Sequence, residues 1–210
     1  MTTKPGEISV VASGESSIAP DLAIVSFSIS ADGKQLAPTR NDVNRRASAV
    51  LTALRGLGIA KRDLSAPDVG IHPQYDYRKG QRLIGYHVQR QLTAKVRDLE
   101  RLGEVLDGIV AAGANEVHGA EMSAADPSAS EHEALASAVA AAKAKALAIA
   151  SAAGVTLGAL TRLEEEADGG FQPMPKLAVM RMEAAGSVPT EVASGDLTVT
   201  RRIRAWFAIG

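Results

Sequence analysis

The sequence contains no cysteine, which excludes disulfide bonds, thiolate metal sites and a cysteine nucleophile but leaves the cellular compartment open. Aromatic residues make up only 3% of the chain, so its core must consist of alanine, valine, leucine and isoleucine. A net charge of −1 gives no general attraction to nucleic acid or to anionic membranes. The sequence predicts no transmembrane segment, because no run approaches the roughly 18 apolar residues that such a helix needs.

The N-terminal segment Met1–Glu7 lacks the apolar stretch of a signal peptide. Two interpretations of localisation follow. Either the protein is cytoplasmic as written, or an export signal was removed where the chain was defined and Met1 is a substituted start. The 210 residues suit a single domain over 1–210 that is large enough to bury a core.

Alternation of apolar and polar residues predicts strands near both ends of the chain. Between residues 23 and 31 the odd positions are apolar, whereas Ser26, Ser28 and Ser30 fill even positions. Side chains of a strand alternate between its faces, so we expect these serines on a solvent-facing side. A similar pattern recurs at about 192–209.

A hairpin is predicted over residues 69–96, with its turn at 78–81. Its register places Tyr75 opposite Ile84, and the apolar residues of both arms then fall on one side. Further strands are expected near 117–123 and 160–166, and a short apolar run that begins at Ile8 predicts another before Gly14.

Three helices are predicted, at about 39–57, 98–112 and 128–153. The element order β-β-α-β-β-α-β-α-β-β indicates an α+β fold with a largely antiparallel sheet backed by helices on one face. The third helix is rich in alanine, which permits close approach to a neighbour, although helix propensity alone explains much of this composition. The expected apolar face of the sheet includes Val25, Phe27, Ile29, Val88, Leu92, Val199 and Phe207.

Residues 167–190 differ from the rest of the chain. They contain paired glycines, three prolines and the methionines Met174, Met180 and Met182. We interpret this segment as a mobile loop or as a contact arm between subunits. Methionines suit adaptable contact surfaces and take up oxidant reversibly, so a sacrificial role is one hypothesis. Incidental methionines in a disordered loop are the simpler alternative.

The order of elements and the residues at their joints resemble the SIMPL domain family, bacterial proteins long described as a domain of unknown function. The matching segments span nearly the whole chain. They are Ile8 to Val10, Gly14, Ala19 to Asp21, Gly58-Ile59, Ile71 to Tyr77, Ile84 to Tyr86, Val96 to Asp98, Gly113 to Asn115 and Ala144 to Gly158.

The resemblance implies an exported protein of the periplasm or cell envelope, linked to oxidative-stress defence. It also implies assembly into large ring-like or channel-like homo-oligomers. No catalytic residue is established for the family, so none is carried over to this chain. The missing signal peptide departs from the exported members, and residues 167–190 lie where such domains vary.

Histidines are the first candidates for chemistry. The predicted hairpin register places His72 directly opposite His87 on its polar face, at a distance where two imidazoles can share a metal. A stable zinc site has three or four ligands, and only Gln74 or Asp76 can be argued as a third. We therefore expect two solvent-facing histidines, with no metal site and no cofactor.

Other motifs of enzymes are missing from the sequence. It contains neither a Gly-x-Ser-x-Gly nucleophile turn nor a glycine-rich phosphate loop. His118 and His132 lack sequence partners and are expected at the surface. We expect the acidic run at 164–166 to be solvated. The basic cluster at 201–204 is interpreted as a solvated edge or an ion-pair surface between subunits, and not as a nucleic-acid site.

These observations favour a non-enzymatic, self-associating SIMPL-type protein of the cell envelope that acts in oxidative-stress defence. The alternative is a ligand-binding module, or an enzyme of unrecognised type, that uses a pocket between sheet and helices. A deep pocket with converging polar groups would favour this alternative, whereas a wide apolar or strand-edge contact would favour self-association. The sequence identifies no small-molecule ligand.

Overall fold

A computed structural model describes residues 6–67, 69–78, 80–166, 174–175 and 195–210. Contacts divide these residues into two compact units. The terminal unit contains residues 6–20, 124–166, 174–175 and 195–210, and the central unit contains 21–67, 69–78 and 80–123. The expectation of a single domain over 1–210 stays a prediction.

The secondary-structure elements within these residues follow the predicted order. In chain order they are β1 (Glu7–Ile18), β2 (Leu22–Gly33), α1 (Leu36–Gly56), β3 (Leu64–Ser65), β4 (Val69–Asp76), β5 (Arg82–Val96), α2 (Leu102–Ala111), β6 (Glu116–Ser123), α3 (Ser128–Ala153), β7 (Leu157–Glu165), β8 (Met174–Pro175) and β9 (Leu197–Ile209). The short strands β3 and β8 are additions to that order. All strand pairs are antiparallel, so the α+β class is confirmed.

The strands form two sheets, and this changes one expectation. One sheet has the order β3-β5-β2-β6 with β4 also paired to β5, and the other has the order β1-β9-β7 with β8 paired to β9. Val199 and Phe207 lie on β9 and therefore belong to a different sheet from Phe27. Alternation within a strand identifies its apolar face, but it does not identify the sheet that the strand joins.

The core of the central unit lies between its sheet and the helices α1 and α2. Phe27 of β2 is fully buried there, as predicted, and lies opposite Leu92 of the neighbouring strand β5. Apolar residues at helical spacing cover this face of the sheet. From α1 they are Val43, Ala47, Val50 and Leu54, and from α2 they are Leu102, Val105 and Ile109.

The β4–β5 hairpin follows the predicted register up to Gln74. Beyond that residue the register shifts, so Tyr75 lies opposite Leu83 and not opposite Ile84 as predicted. The shift is a β-bulge in which Ile84 is the extra residue on β5. Counting residues outward from the predicted turn does not reveal such an insertion.

In the terminal unit, α3 packs on the sheet through alanines spaced four residues apart. Ala134, Ala138, Ala142, Ala146 and Ala150 are all buried. The helix approaches β1 so closely that a Cβ atom at Gly14 would lie 2.2 Å from the carbonyl oxygen of Ala134. Close approach, and not helix propensity alone, therefore accounts for this alanine face.

The basic cluster at 201–204 lies on β9, the central strand of its sheet, so the expected solvated edge is wrong. Arg201 forms ion pairs with Glu131 and Glu165, and Arg202 and Arg204 both pair with Glu166. The acidic and basic runs thus hold β7 and α3 to β9 within one chain.

By length and composition alone, α3 could cross a membrane. No other helix among the described residues meets this criterion. The sequence prediction overlooked it because two lysines interrupt its alanines. A core helix meets the same criterion, and here the alanine face packs against β1 and β9.

Candidate functional site

The sheet of the central unit has a polar face on the side opposite Phe27. Alternation along β2 places its even-numbered side chains there, and neighbouring strands add polar side chains of their own. We call this set the polar face. It consists of Ser28, Ser30, Asp32, His72, Gln74, His87, Gln89, Glu116 and His118.

Ser28 is the centre of a hydrogen-bond network on this face. Its hydroxyl donates to Glu116 Oε2 at 2.8 Å and lies 3.1 Å from His118 Nε2. Gln89 Nε2 donates to the same hydroxyl at 3.2 Å. The expectation of a solvent-facing serine is wrong, because Ser28 is 0% exposed and Ser30 is also buried. Side chains from neighbouring strands cover both hydroxyls.

Glu116 accepts hydrogen bonds from both buried serines. The hydrogen bonds from Ser28 and Ser30 stabilise its ionised form and hold the pKa of this carboxyl below its usual value. The sequence did not identify Glu116 as a candidate, because this residue lies 88 residues from Ser28 along the chain. His118 is exposed as predicted, but its contact with Ser28 gives it a partner.

Asn115 fixes the start of β6 against β2. Its side-chain oxygen accepts from the Ser30 backbone N–H at 2.8 Å, and its amide donates to the Ser30 carbonyl at 3.1 Å. The preceding Gly113 has φ +116°, a left-handed conformation that a side chain would disfavour. These contacts explain the Gly-Ala-Asn segment physically, since it places Glu116 beside the serines.

His72 and His87 lie opposite each other, as the register predicted, with ring centroids 6.5 Å apart. His87 Nδ1 lies 2.9 Å from Asp32 Oδ1, and Gln74 donates to the same oxygen at 2.7 Å. Asp32, which was not a candidate, is therefore the partner of His87. Asp76 instead accepts from the backbone N–H of Arg78.

The described part of the chain contains no group of three or more histidine, cysteine or acidic residues arranged to hold a metal ion. The prediction that His72 and His87 are not a physiological metal site still requires a titration. His132 is exposed on α3.

The network does not have the arrangement of a hydrolytic triad. In a triad, histidine takes the proton of the serine and a carboxylate orients the far side of the imidazole. Here the carboxylate of Glu116 accepts the hydrogen bond of the Ser28 hydroxyl directly, and no surface of Ser28 is open to a substrate. The geometry supports a structural hydrogen-bond network.

The methionine candidates fall largely outside the described residues. Met180 and Met182 lie outside them, as does the 167–190 arm apart from β8. The backbone of Met174 pairs with Thr198 of β9, and its side chain is not among the described atoms.

The β4–β5 hairpin carries a second candidate surface, which is apolar. α1 packs against β2 and β5, but β2 ends at Gly33 and the hairpin continues beyond it. Six large apolar or aromatic side chains of the hairpin are more than one-third exposed. We call them the hairpin surface: Val69, Ile71, Tyr75, Tyr77, Leu83 and Ile84.

Comparison with known proteins agrees with the resemblance inferred from the motifs. The family model SIMPL, described as a protein of unknown function (DUF541), matches residues 8–207. The uncharacterized protein YggE of Edwardsiella ictaluri is 32% identical over 191 residues, covering 89% of this chain and 78% of the relative. YggE of Escherichia coli K12 is 28% identical over 179 residues, covering 84% and 72%.

A relative with a more descriptive name is the 26 kDa periplasmic immunogenic protein of Brucella melitensis. It is 36% identical over 171 residues, covering 79% of this chain and 68% of the relative. The family match extends over both units and includes the polar face and the hairpin surface. This chain therefore belongs to the SIMPL family.

Proposed function

We propose that this protein is a non-enzymatic, self-associating protein of the cell envelope that contributes to oxidative-stress defence. The observation that carries the proposal is the hairpin surface. Ile84 is 51% exposed and Tyr77 is 72% exposed, and both line one depression together with Tyr75, whose ring centroid lies 6.3 Å from that of Tyr77. Single exposed apolar residues are ordinary, whereas a contiguous group of them is typical of a contact site.

The occupant that we propose for the hairpin surface is a second copy of this chain. β4 pairs on one side with β5, and among the described residues its other side has no strand partner. Pro73 in the middle of β4 lacks a backbone N–H, so it interrupts any continuous ladder with an added strand. We therefore expect contact through the apolar side chains of the hairpin more than through backbone pairing.

The envelope assignment rests on relatives and not on the fold. The Brucella relative is named a periplasmic protein, and its match covers 79% of this chain. The non-enzymatic assignment rests on the polar face, where the buried Ser28 hydroxyl is bonded to Glu116 and closed to substrates.

The oxidative-stress role rests on the family resemblance and on three methionines in one segment of the sequence. Replacing Met174, Met180 and Met182 by leucine keeps the apolar volume but removes the oxidisable sulfur. If this segment is sacrificial, cells carrying the triple variant survive hydrogen peroxide no better than cells lacking the protein. Survival equal to that of wild type would contradict the role.

Light scattering at tens of micromolar protein tests the self-association. We expect a mass of several chains for wild type and a single-chain mass for Ile84→Asp, because a charge at the hairpin surface opposes burial. Val110→Asp is the matched control, since Val110 is 57% exposed on α2 of the same unit. We expect this control variant to keep the wild-type mass.

Deleting residues 168–190 tests the predicted contact arm separately. A wild-type protein that measures one chain would contradict self-association by either surface. A multimer that survives Ile84→Asp but not the deletion would move the contact from the hairpin to the arm.

A further inference from the structure

A groove in the terminal unit lies between α3 and β7. Its cavity is about 250 Å³, and almost every residue around it is apolar. α3 packs mainly over β1 and β9, so the side chains of β7 extend beyond the helix. Leu160 and Leu163 are 45% and 46% exposed as a result.

Two irregularities in β7 build the floor of this groove. Leu157, Leu160 and Leu163 are three residues apart, so in a regular strand Leu160 would face away from the other two. The register with β9 shifts between Leu157 and Leu160, and again between Leu160 and Arg162. As a result, the three leucines lie opposite every second residue of β9, in the order Ile209, Phe207 and Ala205. These residues are all on the apolar side of β9. Bulges that re-aim side chains in this way are often found at functional sites.

Among the described residues that line the groove, Lys143 is the only ionisable one. It lies one helical turn after Val139, which lines the same wall, and its side chain is exposed. Lys145, the other lysine of α3, points elsewhere and donates to the Val11 carbonyl at 3.0 Å. The groove thus combines an apolar interior with one positive charge at its mouth.

We propose that this groove binds a single hydrocarbon chain with an anionic head group placed beside Lys143. A cavity of about 250 Å³ suits a medium-length chain and not a folded partner. A polar ligand would lose its hydrogen bonds with water and find almost no replacement along these walls. A contact between two proteins needs about 800 Å² from each partner, far more than a groove this narrow supplies.

Titration calorimetry with sodium decanoate, kept below its micelle concentration, tests the proposal. 1-Decanol is the comparison ligand, because it has the same chain without the charge. We expect saturable binding of decanoate to wild type. Lys143→Gln should bind decanoate about two- to fivefold more weakly and leave decanol binding unchanged, because an exposed charge pair contributes modestly.

Changes in the groove floor should have larger effects. Leu160→Asn should weaken both ligands at least about tenfold, because the chain loses an apolar contact wall. Leu147→Asn is the matched control, since Leu147 is 58% exposed on α3 but does not line the groove. Leu163→Asn is a second groove variant for the case that Leu160→Asn misfolds, which Trp206 fluorescence reports.

Three results would overturn the proposal: no saturable decanoate binding, equal weakening by Leu147→Asn, or binding that neither groove variant changes. Loss of the multimeric mass in Leu160→Asn without any decanoate binding to wild type would identify a second copy as the occupant. The proposal does not depend on self-association through the hairpin surface, which Ile84→Asp tests separately.

Discussion

Replacing Gly14 by alanine tests the close contact between β1 and α3. The added Cβ would lie 2.2 Å from both the Ala134 carbonyl oxygen and the Ala138 amide nitrogen, whereas ordinary contacts are 3.4–4 Å. Both neighbouring atoms belong to the helix backbone, so no side-chain rotation relieves the overlap. The helix must move outward by about 1 Å, and a close-packed interior resists such a shift.

Overpacking of this kind costs typically 1–3 kcal/mol, and a contact with backbone atoms lies at the upper end. We therefore expect Gly14→Ala to lower the free energy of unfolding by about 3 kcal/mol. With a denaturant dependence of roughly 1–3 kcal/mol per molar urea, the midpoint should fall by at least about 1 M.

Trp206 provides the assay for this prediction. It is the only tryptophan of the chain and lies on β9, so its fluorescence reports the unfolding of the terminal unit. Gly103→Ala is the matched control, because nothing lies within 4 Å of a Cβ at this helical position. Alanine there should stabilise the protein by about 0.5–1 kcal/mol, measured by circular dichroism. A Gly14→Ala midpoint within error of wild type would refute the close-packing argument.

Two further predictions concern Asp63 and the paired histidines. The hydrogen bond from Arg97 keeps the pKa of the Asp63 carboxyl below its ordinary value of 3.8. The ionised carboxylate therefore stabilises the folded state above pH 3.8, and this stabilisation is lost as the pH falls through the lower pKa of the folded protein. Urea titrations from about pH 4 to pH 2 measure the free energy of unfolding of wild type and of Asp63→Asn. We expect this free energy to depend less on pH in Asp63→Asn, and an equal pH dependence in both proteins would contradict this interpretation. Calorimetric titration with zinc should give at most weak binding, and a sub-micromolar site abolished by His72→Ala or His87→Ala would contradict the assignment of these histidines as non-metal residues.

The sequence predicts those structural features that are set by nearby residues within one strand, helix or hairpin. The alternation in β2 identified Phe27 as a core residue, and the structure confirms it. The turn placed His72 opposite His87, because hairpin register follows from local counting. That counting failed at Ile84, where a single inserted residue changed the pairing with Tyr75.

The polar face was not predictable in the same way. Alternation assigns Ser28 to the side away from the core, and solvent is then the default environment for a serine. Only the pairing of β6 with β2 brings Glu116 and His118 to that serine, and no local pattern encodes which strands become neighbours. The same limit explains why Phe207 was assigned to the wrong sheet.

The groove depends on a further property that the sequence leaves ambiguous. Leucines spaced by three residues are more typical of a helix than of a strand, and Leu157, Leu160 and Leu163 share a face of β7 because of two register shifts. Such shifts are set by the partner strand, which begins only at Leu197.

The pairing of β1 with β9 has a consequence for biosynthesis. The two strands are joined from Glu7 opposite Ala208 to Ile18 opposite Leu197, so β1 leaves the ribosome long before its partner exists. At roughly 5–20 residues per second, this delay lasts about 10–40 s. During that interval β1 is an extended, half-apolar segment with unpaired backbone groups, which is the kind of segment that aggregates or is held by chaperones. The described strands of the central unit all lie between Leu22 and Ser123, so all of them are synthesised before β7 and β9.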